Sequence, residues 1–286
     1  MSTLDSKQYK ESQRKGWDSV ANAWQKWWKV TETAAEKVSR RLIELVEIKR
    51  GSIVLDIATG IGEPAITAAN QVGNSGHVLA IDISSRMLSI AKQRAISSGL
   101  EQLIEFKHSD AETIDLSAST FDAALCRFGL MFLPDLRTGL SNIYRSLVDG
   151  GRLAAAVWAS ADKVPFIAVA LNTVMKETKS PPPAPGTPGA FSLSDENMLR
   201  NSFINSGFKD VTIERMDVSF DFDLAEVYTN FVYETGAPIQ AILANQPQVR
   251  REEILKAITE AARKYTKNDT SAVRLSNEAI CVVGTK

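Results

Sequence analysis

Four groups of polar residues stand where chemistry could be done. They are Asp56 ahead of Gly60-Ile61-Gly62, then Asp82, then Asp110-Ala111-Glu112, then Cys126-Arg127. Each closes or follows a short apolar run, one per strand–helix unit. Ile53 to Ile57 reads as a buried strand, and Pro64 can sit in the first turn of a helix that stops at Gly73. Gly60 and Gly62 let the backbone between them turn sharply and approach a ligand. A glycine turn between a strand and a helix N-terminus is a nucleotide-binding shape.

Two binding chemistries share that shape. Gly60-x-Gly62-x-x-Ala65 satisfies the dinucleotide fingerprint, with Asp82 at a suitable distance to hold a ribose. That pattern supports a nicotinamide-dependent reductase. Asp56 argues the other way, because a carboxylate inside the strand would repel a pyrophosphate and suit an ammonium group. S-adenosylmethionine carries an ammonium and no phosphate. The plain alternative is that Asp56 only caps the turn by accepting nearby backbone N–H groups.

The elements that must position these residues alternate along the chain. His77 to Ile83 reads as the second strand, Leu103 to Lys107 as the third, Phe121 to Cys126 as the fourth and Arg152 to Trp158 as the fifth. Ser84 can cap the helix that carries Met87, Leu88, Ala91 and Ala95. Such alternation means a parallel sheet with helices on both faces, and ligands bind such sheets at the carboxyl ends of the strands. All four polar groups lie at those ends. Ahead of the sheet, residues 1–12 read as polar and frayed, and Trp17, Val20, Ala21, Trp24, Trp27 and Trp28 fall at helical spacing. These tryptophans either pin a helix to the core or close over a ligand, and both can hold. Thr33 and Glu36 form a T-x-x-E box that predicts the start of a second helix. After Trp158 the alternation gives way to apolar helical segments and a loop rich in proline and glycine.

The 286 residues fit one enlarged α/β domain. The reading divides them into N-terminal cap helices (1–50), a ligand-binding core (51–160) and the rest of the sheet (161–286). Inserted helices at about 161–190 and 224–268 are expected as lids over a substrate pocket. Net charge is −1 with no long basic run, which disfavours nucleic acid as a partner. The apolar runs are too short for stable membrane insertion, and no signal segment opens the chain, so a cytoplasmic protein is expected. Cys126 and Cys281 form no C-x-x-C, and no His/Cys/Asp cluster has ligand spacing, so no metal is expected. Nothing in the sequence sets the oligomeric state.

Taken together and in order, these motifs resemble the class I S-adenosylmethionine-dependent methyltransferases, and within them the ubiquinone/menaquinone-biosynthesis type. Val54 to Gly62 is similar to that family's first motif, Asp82-Ile83-Ser84 with Met87-Leu88 to its second, and Asp110-Ala111-Glu112 to its third. Phe121-Asp122-Ala123-Ala124 with Arg127 to Phe132 is similar to its fourth, and Trp17 to Trp28 to its cap helix. Ala58 stands where the family commonly has glycine. The resemblance implies a doubly wound, mostly parallel seven-stranded sheet, Rossmann-like, with S-adenosylmethionine as cofactor. Asp56 and the backbone of Ala58, Thr59, Gly60 and Gly62 would hold the methionine end, and Asp82 the ribose hydroxyls. Ile83 and Met87 would pack on adenine, with Asp110, Ala111 and Glu112 at its edge. Cys126 and Arg127 would lie beside the sulfonium, and Trp17 and Trp24 would cover the ligand. The implied reaction is O-, C- or N-methylation of a small, largely apolar or aromatic acceptor, driven by alignment. His108 and Arg127 are the candidates for a catalytic role. The rivals are the reductase and a catalytically silent binding module of the same fold.

Overall fold

Strand β1 (Ile53–Ile57) is buried along Val54 to Ile57, as a parallel strand covered on both faces must be. The computed structural model describes residues 5–184, 186–266 and 270–286. Around β1 lie β2 (His77–Asp82), β3 (Ile104–His108), β4 (Phe121–Arg127), β5 (Leu147–Trp158), β6 (Lys209–Phe222) and β7 (Val273–Thr285). They form one seven-stranded sheet in the order β3-β2-β1-β4-β5-β7-β6. The first five run parallel, and β7 inserts antiparallel between β5 and β6. The order reverses between β1 and β4, which opens the crevice where such sheets take ligands.

The helices are α1 (Ser6–Lys26), α2 (Trp28–Leu45), α3 (Ala65–Val72), α4 (Ser85–Ser97) and α5 (Leu136–Ser146), then α6 (Pro165–Thr178), α7 (Glu196–Asn205), α8 (Ala225–Thr235), α9 (Ala237–Ala244) and α10 (Gln248–Ala262). Gly73 ends α3 with φ +63, and the Ser84 hydroxyl accepts from Met87 N at 3.1 Å to cap α4. Two expectations are corrected at the N-terminus. The polar opening segment is helical from Ser6, because the Asp5 carboxylate accepts from Lys7 N and Gln8 N. Thr33 and Glu36 do not open α2. That helix starts at Trp28, with only Trp27 between it and α1, and buries Thr31 ahead of the expected start. Residues 1–4, 185 and 267–268 of the expected segments lie outside the described residues.

Helix α2 packs across β4, β5 and β6, and Arg41 fixes it there through Nε and Nη2 bonds of 2.6 and 2.9 Å to Glu214. Helix α1 packs against α4, α8 and α9 instead of the sheet, so it bridges the rim of the crevice. Its far end is tied to α8 by Trp27 Nε1 and Lys26 Nζ, both on Glu234, at 2.6 and 2.7 Å. Among the described residues no helix is long and apolar enough to cross a membrane.

Candidate active site

At the carboxyl ends of β1, β2 and β4 lies a cavity of about 200 Å³. Most of the expected site residues line it: Trp17, Trp24, Ala58, Thr59, Gly60, Asp82, Ile83, Met87, Asp110, Ala111, Glu112 and Arg127. Asp56, Gly62, Cys126 and His108 are not among its lining. Strand register explains the first of these. Asp56 pairs with Ala80 in β2 and Leu125 in β4, two residues short of Asp82 and Arg127. The turn therefore folds over it, and Asp56 is fully buried. Its Oδ2 accepts from Ala65 N at 3.0 Å, the capping role weighed as the plain alternative. Its Oδ1 and the neighbouring Thr59 Oγ1 are the buried side-chain polar atoms without a hydrogen bond among the described residues. Burial pushes the Asp56 carboxyl up to about 7, against the pull of the nearby Thr59 hydroxyl and the Arg127 charge.

His108 sits at the tip of β3 beside Asp82, but its Nε2 bonds the Ile83 carbonyl at 2.9 Å and its ring is exposed. Cys126 is completely buried, and burial drives its thiol far above the ordinary range, so it stays protonated. Arg127 is nearly buried as well. Its Nη2 donates to Glu32 at 2.8 Å and its Nη1 to Ser39 Oγ at 2.8 Å, which anchors it to α2.

Asp82 is held by two backbone donors. Its Oδ2 accepts from Gly60 N and its Oδ1 from Ser84 N, both at 2.8 Å. Burial nevertheless pushes it up to about 6, with the two N–H groups and His108 opposing. Gly60 holds φ +57, and a methyl group on it would meet nothing within 4 Å, so the turn is open on the ligand side. Gly129 is different: a methyl there would lie 2.6 Å from Ala58 Cβ and 2.8 Å from Cys126 Sγ. Ala58 itself has φ +55, a strained value for a residue with a Cβ.

Helix α1 contributes residues that pattern reading missed. Lys10 Nζ bonds Asp110 at 2.7 Å and Glu112 at 2.5 Å, and Tyr9, Gln13 and Trp17 also line the cavity. Burial lowers the Lys10 pKa, but the two carboxylates outweigh it and leave the ammonium firmly charged. Glu32 from α2, and Glu63 just past the glycine turn, were missed too. Only their placement in the fold brings them to the cavity. The tryptophans divide their work. Trp17 and Trp24 face the cavity, and Trp24 Nε1 donates to the Thr235 carbonyl at 3.2 Å. Trp27 packs edge-on against Phe231 with centroids 5.5 Å apart, and Trp28 lies over Arg94 at 5.0 Å. The helices expected as lids pack elsewhere: α6, α8 and α10 bury their apolar faces on one another and on β6 and β7, and none of their residues lines the cavity.

These residues fit S-adenosylmethionine in chemistry. Asp82 is an acceptor suited to paired hydroxyls, Thr59 offers an unpartnered hydroxyl, and aromatic rings form a wall. The space is less than the roughly 300–1,000 Å³ of an ordinary ligand pocket, because α1 closes it. Among the described residues no group of three or more His, Cys, Asp or Glu side chains is placed to hold a metal ion.

Known proteins point the same way. The family model described as the ubiE/COQ5 methyltransferase family matches residues 5–178, more than half of the chain. A ubiquinone/menaquinone biosynthesis C-methyltransferase UbiE from Rhizobium meliloti is 36% identical over 100 residues, which are 35% of this chain and 39% of the relative. The chain thus matches well under half the length of that relative. A putative methyltransferase from Bacillus halodurans shares the fold, with TM-score 0.56, 20% identity and coverage of 87% of this chain and 98% of that one. So does a phosphoethanolamine N-methyltransferase 2 from Haemonchus contortus, solved with S-adenosyl-L-methionine. Its TM-score is 0.54 at 18% identity, over 87% of this chain and 52% of that one. The chain belongs to the ubiE/COQ5 methyltransferase family, and S-adenosylmethionine is its cofactor.

Two substitutions probe the carboxylates. Asp82→Asn removes one acceptor and the charge. It is expected to weaken S-adenosylmethionine binding in calorimetry by on the order of 1.5–3 kcal/mol. Unchanged affinity with the fold intact by circular dichroism would refute the ribose role. The pH behaviour of Asp56 follows from its shift. A carboxyl held near 7 in the fold and ionising at its ordinary 3.8 when unfolded stabilises the protein at low pH, and that contribution is lost as pH rises from about 4 through 7. Asp56→Asn should therefore raise the Tm of the cofactor-free protein at about pH 8 by about 5 °C, the effect of roughly 2 kcal/mol in a chain this long. The gain should shrink toward pH 5, and a gain that is absent or independent of pH would contradict the assignment.

Proposed function

We propose that this member of the ubiE/COQ5 methyltransferase family carries the methyl group of S-adenosylmethionine to a ring carbon of a small aromatic acceptor of the quinol type. The cavity itself is the observation that carries this reading: acids at successive strand ends on one side, and Trp17, Trp24 and Phe132 on the other. Trp17 meets Phe132 edge-on at 5.4 Å and Trp24 at 6.2 Å, a wall suited to a flat apolar ring. The printed name of the Rhizobium relative, a C-methyltransferase of ubiquinone/menaquinone biosynthesis, supports a ring carbon as the target.

The donor is a sulfonium and comes already activated, so the protein's share is alignment and exclusion of water. Asp82 would accept from the ribose hydroxyls while its two backbone bonds keep it in place. Ile83 and Met87 would pack on the base. Asp110 would take the base's amino group once Lys10 yields it. The backbone of Ala58 to Gly60, with the Thr59 hydroxyl, would hold the methionine end. Arg127, already neutralised by Glu32, would orient the acceptor by hydrogen bonding. A pyrophosphate on the turn would meet the Glu63 carboxylate, which argues against the reductase even though Asp56 is not among the cavity's lining.

The protein would be incubated with S-adenosylmethionine and a panel of reduced quinols, phenols, amines, peptides and nucleic acids, and the products weighed by mass spectrometry. The expected result is one added methyl group on a quinol or phenolic ring, with S-adenosylhomocysteine released in equal amount. Trp24→Ala should lower turnover and cofactor affinity by about tenfold or more while far-UV circular dichroism is unchanged, about 1.4 kcal/mol of lost binding. Methylation confined to highly charged molecules, peptides or nucleic acids would refute the acceptor class. Full activity in Trp24→Ala would reduce the tryptophan wall to packing.

A further inference from the structure

Methylation of an O–H or a ring C–H releases a proton, and the cavity holds few groups able to take it. Lys10 is protonated and bound to Asp110 and Glu112, which it occupies in turn. Asp82 has an N–H on each oxygen. Arg127 is a cation, and Glu32 is its partner at 2.8 Å. Tyr9 is pushed up to about 12 by burial and holds its own proton. His108 lies off the cavity. Glu63 remains. It lines the cavity and is 8% exposed. Its Oε2 accepts from Thr67 Oγ1 at 2.7 Å, while its Oε1 has only a long 3.5 Å contact with Arg94 Nη2.

Resting on the methyl-transfer reading, we infer that Glu63 is the general base of the site, its Oε1 taking the proton that the acceptor gives up as the methyl group arrives. The step balances without a co-reactant. The acceptor's electron pair forms the new bond to the methyl carbon, and the carbon–sulfur bond breaks with its pair left on sulfur. The proton passes to Glu63 and then to water. The surroundings tune the carboxylate for this work. Burial raises its proton affinity first and the Glu32 charge on α2 adds to it, while the Thr67 hydroxyl, Arg127 and Arg94 pull back. Asp56 behind the turn is the other acid in this field. A carboxylate with raised proton affinity is a better proton acceptor than an ordinary one.

Two measurements test this, one without turnover. Carbon-13 carboxyl NMR of glutamate-labelled protein would follow titration from about pH 4 to about pH 9. One resonance should titrate above the ordinary glutamate range near 4.3 and vanish in Glu63→Gln. It should move down in Glu32→Gln, which removes a like charge, and up in Thr67→Val, which removes a donor to the charged form. A Glu63 that titrates in the ordinary range, or ignores both neighbours, overturns the inference. In turnover with S-adenosylmethionine and 1,4-naphthoquinol, or whichever acceptor the wild type methylates, Glu63→Gln should lower kcat by about 100-fold or more. Its calorimetric affinity for S-adenosylmethionine should stay within about twofold, less than 0.5 kcal/mol. Glu63→Asp should recover part of the rate, and the acid limb of the wild-type pH profile should follow the NMR titration. An unaffected kcat in Glu63→Gln overturns the inference alone, and a cofactor affinity lost with kcat moves Glu63 to the cofactor's subsite. A wild type that binds S-adenosylmethionine and methylates nothing overturns the methyl-transfer reading itself.

Discussion

Two backbone N–H groups converge on the buried carboxylate of Asp82, and the site hangs from that meeting. Gly60 N, from the turn after β1, and Ser84 N, at the start of α4, bond its two oxygens. Ser84 then passes the constraint outward. Its hydroxyl caps α4 through Met87 N and donates to Asp18 of α1 at 2.7 Å. One carboxylate thus fixes the glycine turn, the tip of β2, the next helix and the covering helix relative to each other. Its burial costs something, as its raised pKa shows, and the N–H groups repay part of that by favouring the charged form.

The sheet and most of the site were legible because they obey local rules. Apolar runs of strand length, Ser84 before Met87, and Gly73 after Val72 each state an element boundary in residue types. The acids at successive strand ends follow once the alternation is read. What was not legible depends on register and on tertiary placement. A strand shows that Asp56 precedes the turn but not that its neighbours carry their polar residues two positions further on. Lys10 looks like a solvated charge in a polar segment until α1 is laid over Asp110 and Glu112. The α1–α2 boundary at Trp27 has no side-chain cap, so the Thr33–Glu36 pattern inside α2 was the stronger local signal and misled. The apolar helices after Trp158 look alike whether they line a pocket or pack on each other, and here α6, α8 and α10 pack on each other.

The cavity is closed from above by a helix that is itself held by charge. Lys10 spans Asp110 and Glu112 at one end, and Lys26 and Trp27 reach Glu234 at the other. Between these anchors Trp17 and Trp24 present their rings to the cavity. A cofactor held by Asp110, as proposed, would compete with Lys10 for that carboxylate. On the proposed cofactor pose, loading would break the Lys10 contacts of α1, while its Glu234 contacts could stay in place. The tryptophan rings would close again over a dry sulfonium. Among the described residues it is the first helix of the chain that lines and covers this cavity, with α8 and α9 packed behind it.

Hydrogen exchange of the protein with and without S-adenosylmethionine addresses that arrangement most directly. The expected result is slower exchange in three places at once: the glycine turn from Ala58 to Gly62, the segment from Asp82 to Met87, and α1 around Tyr9 to Trp24. Binding of S-adenosylmethionine with no added protection in the turn and in α1, or protection confined to α6, α8 and α9, would contradict it.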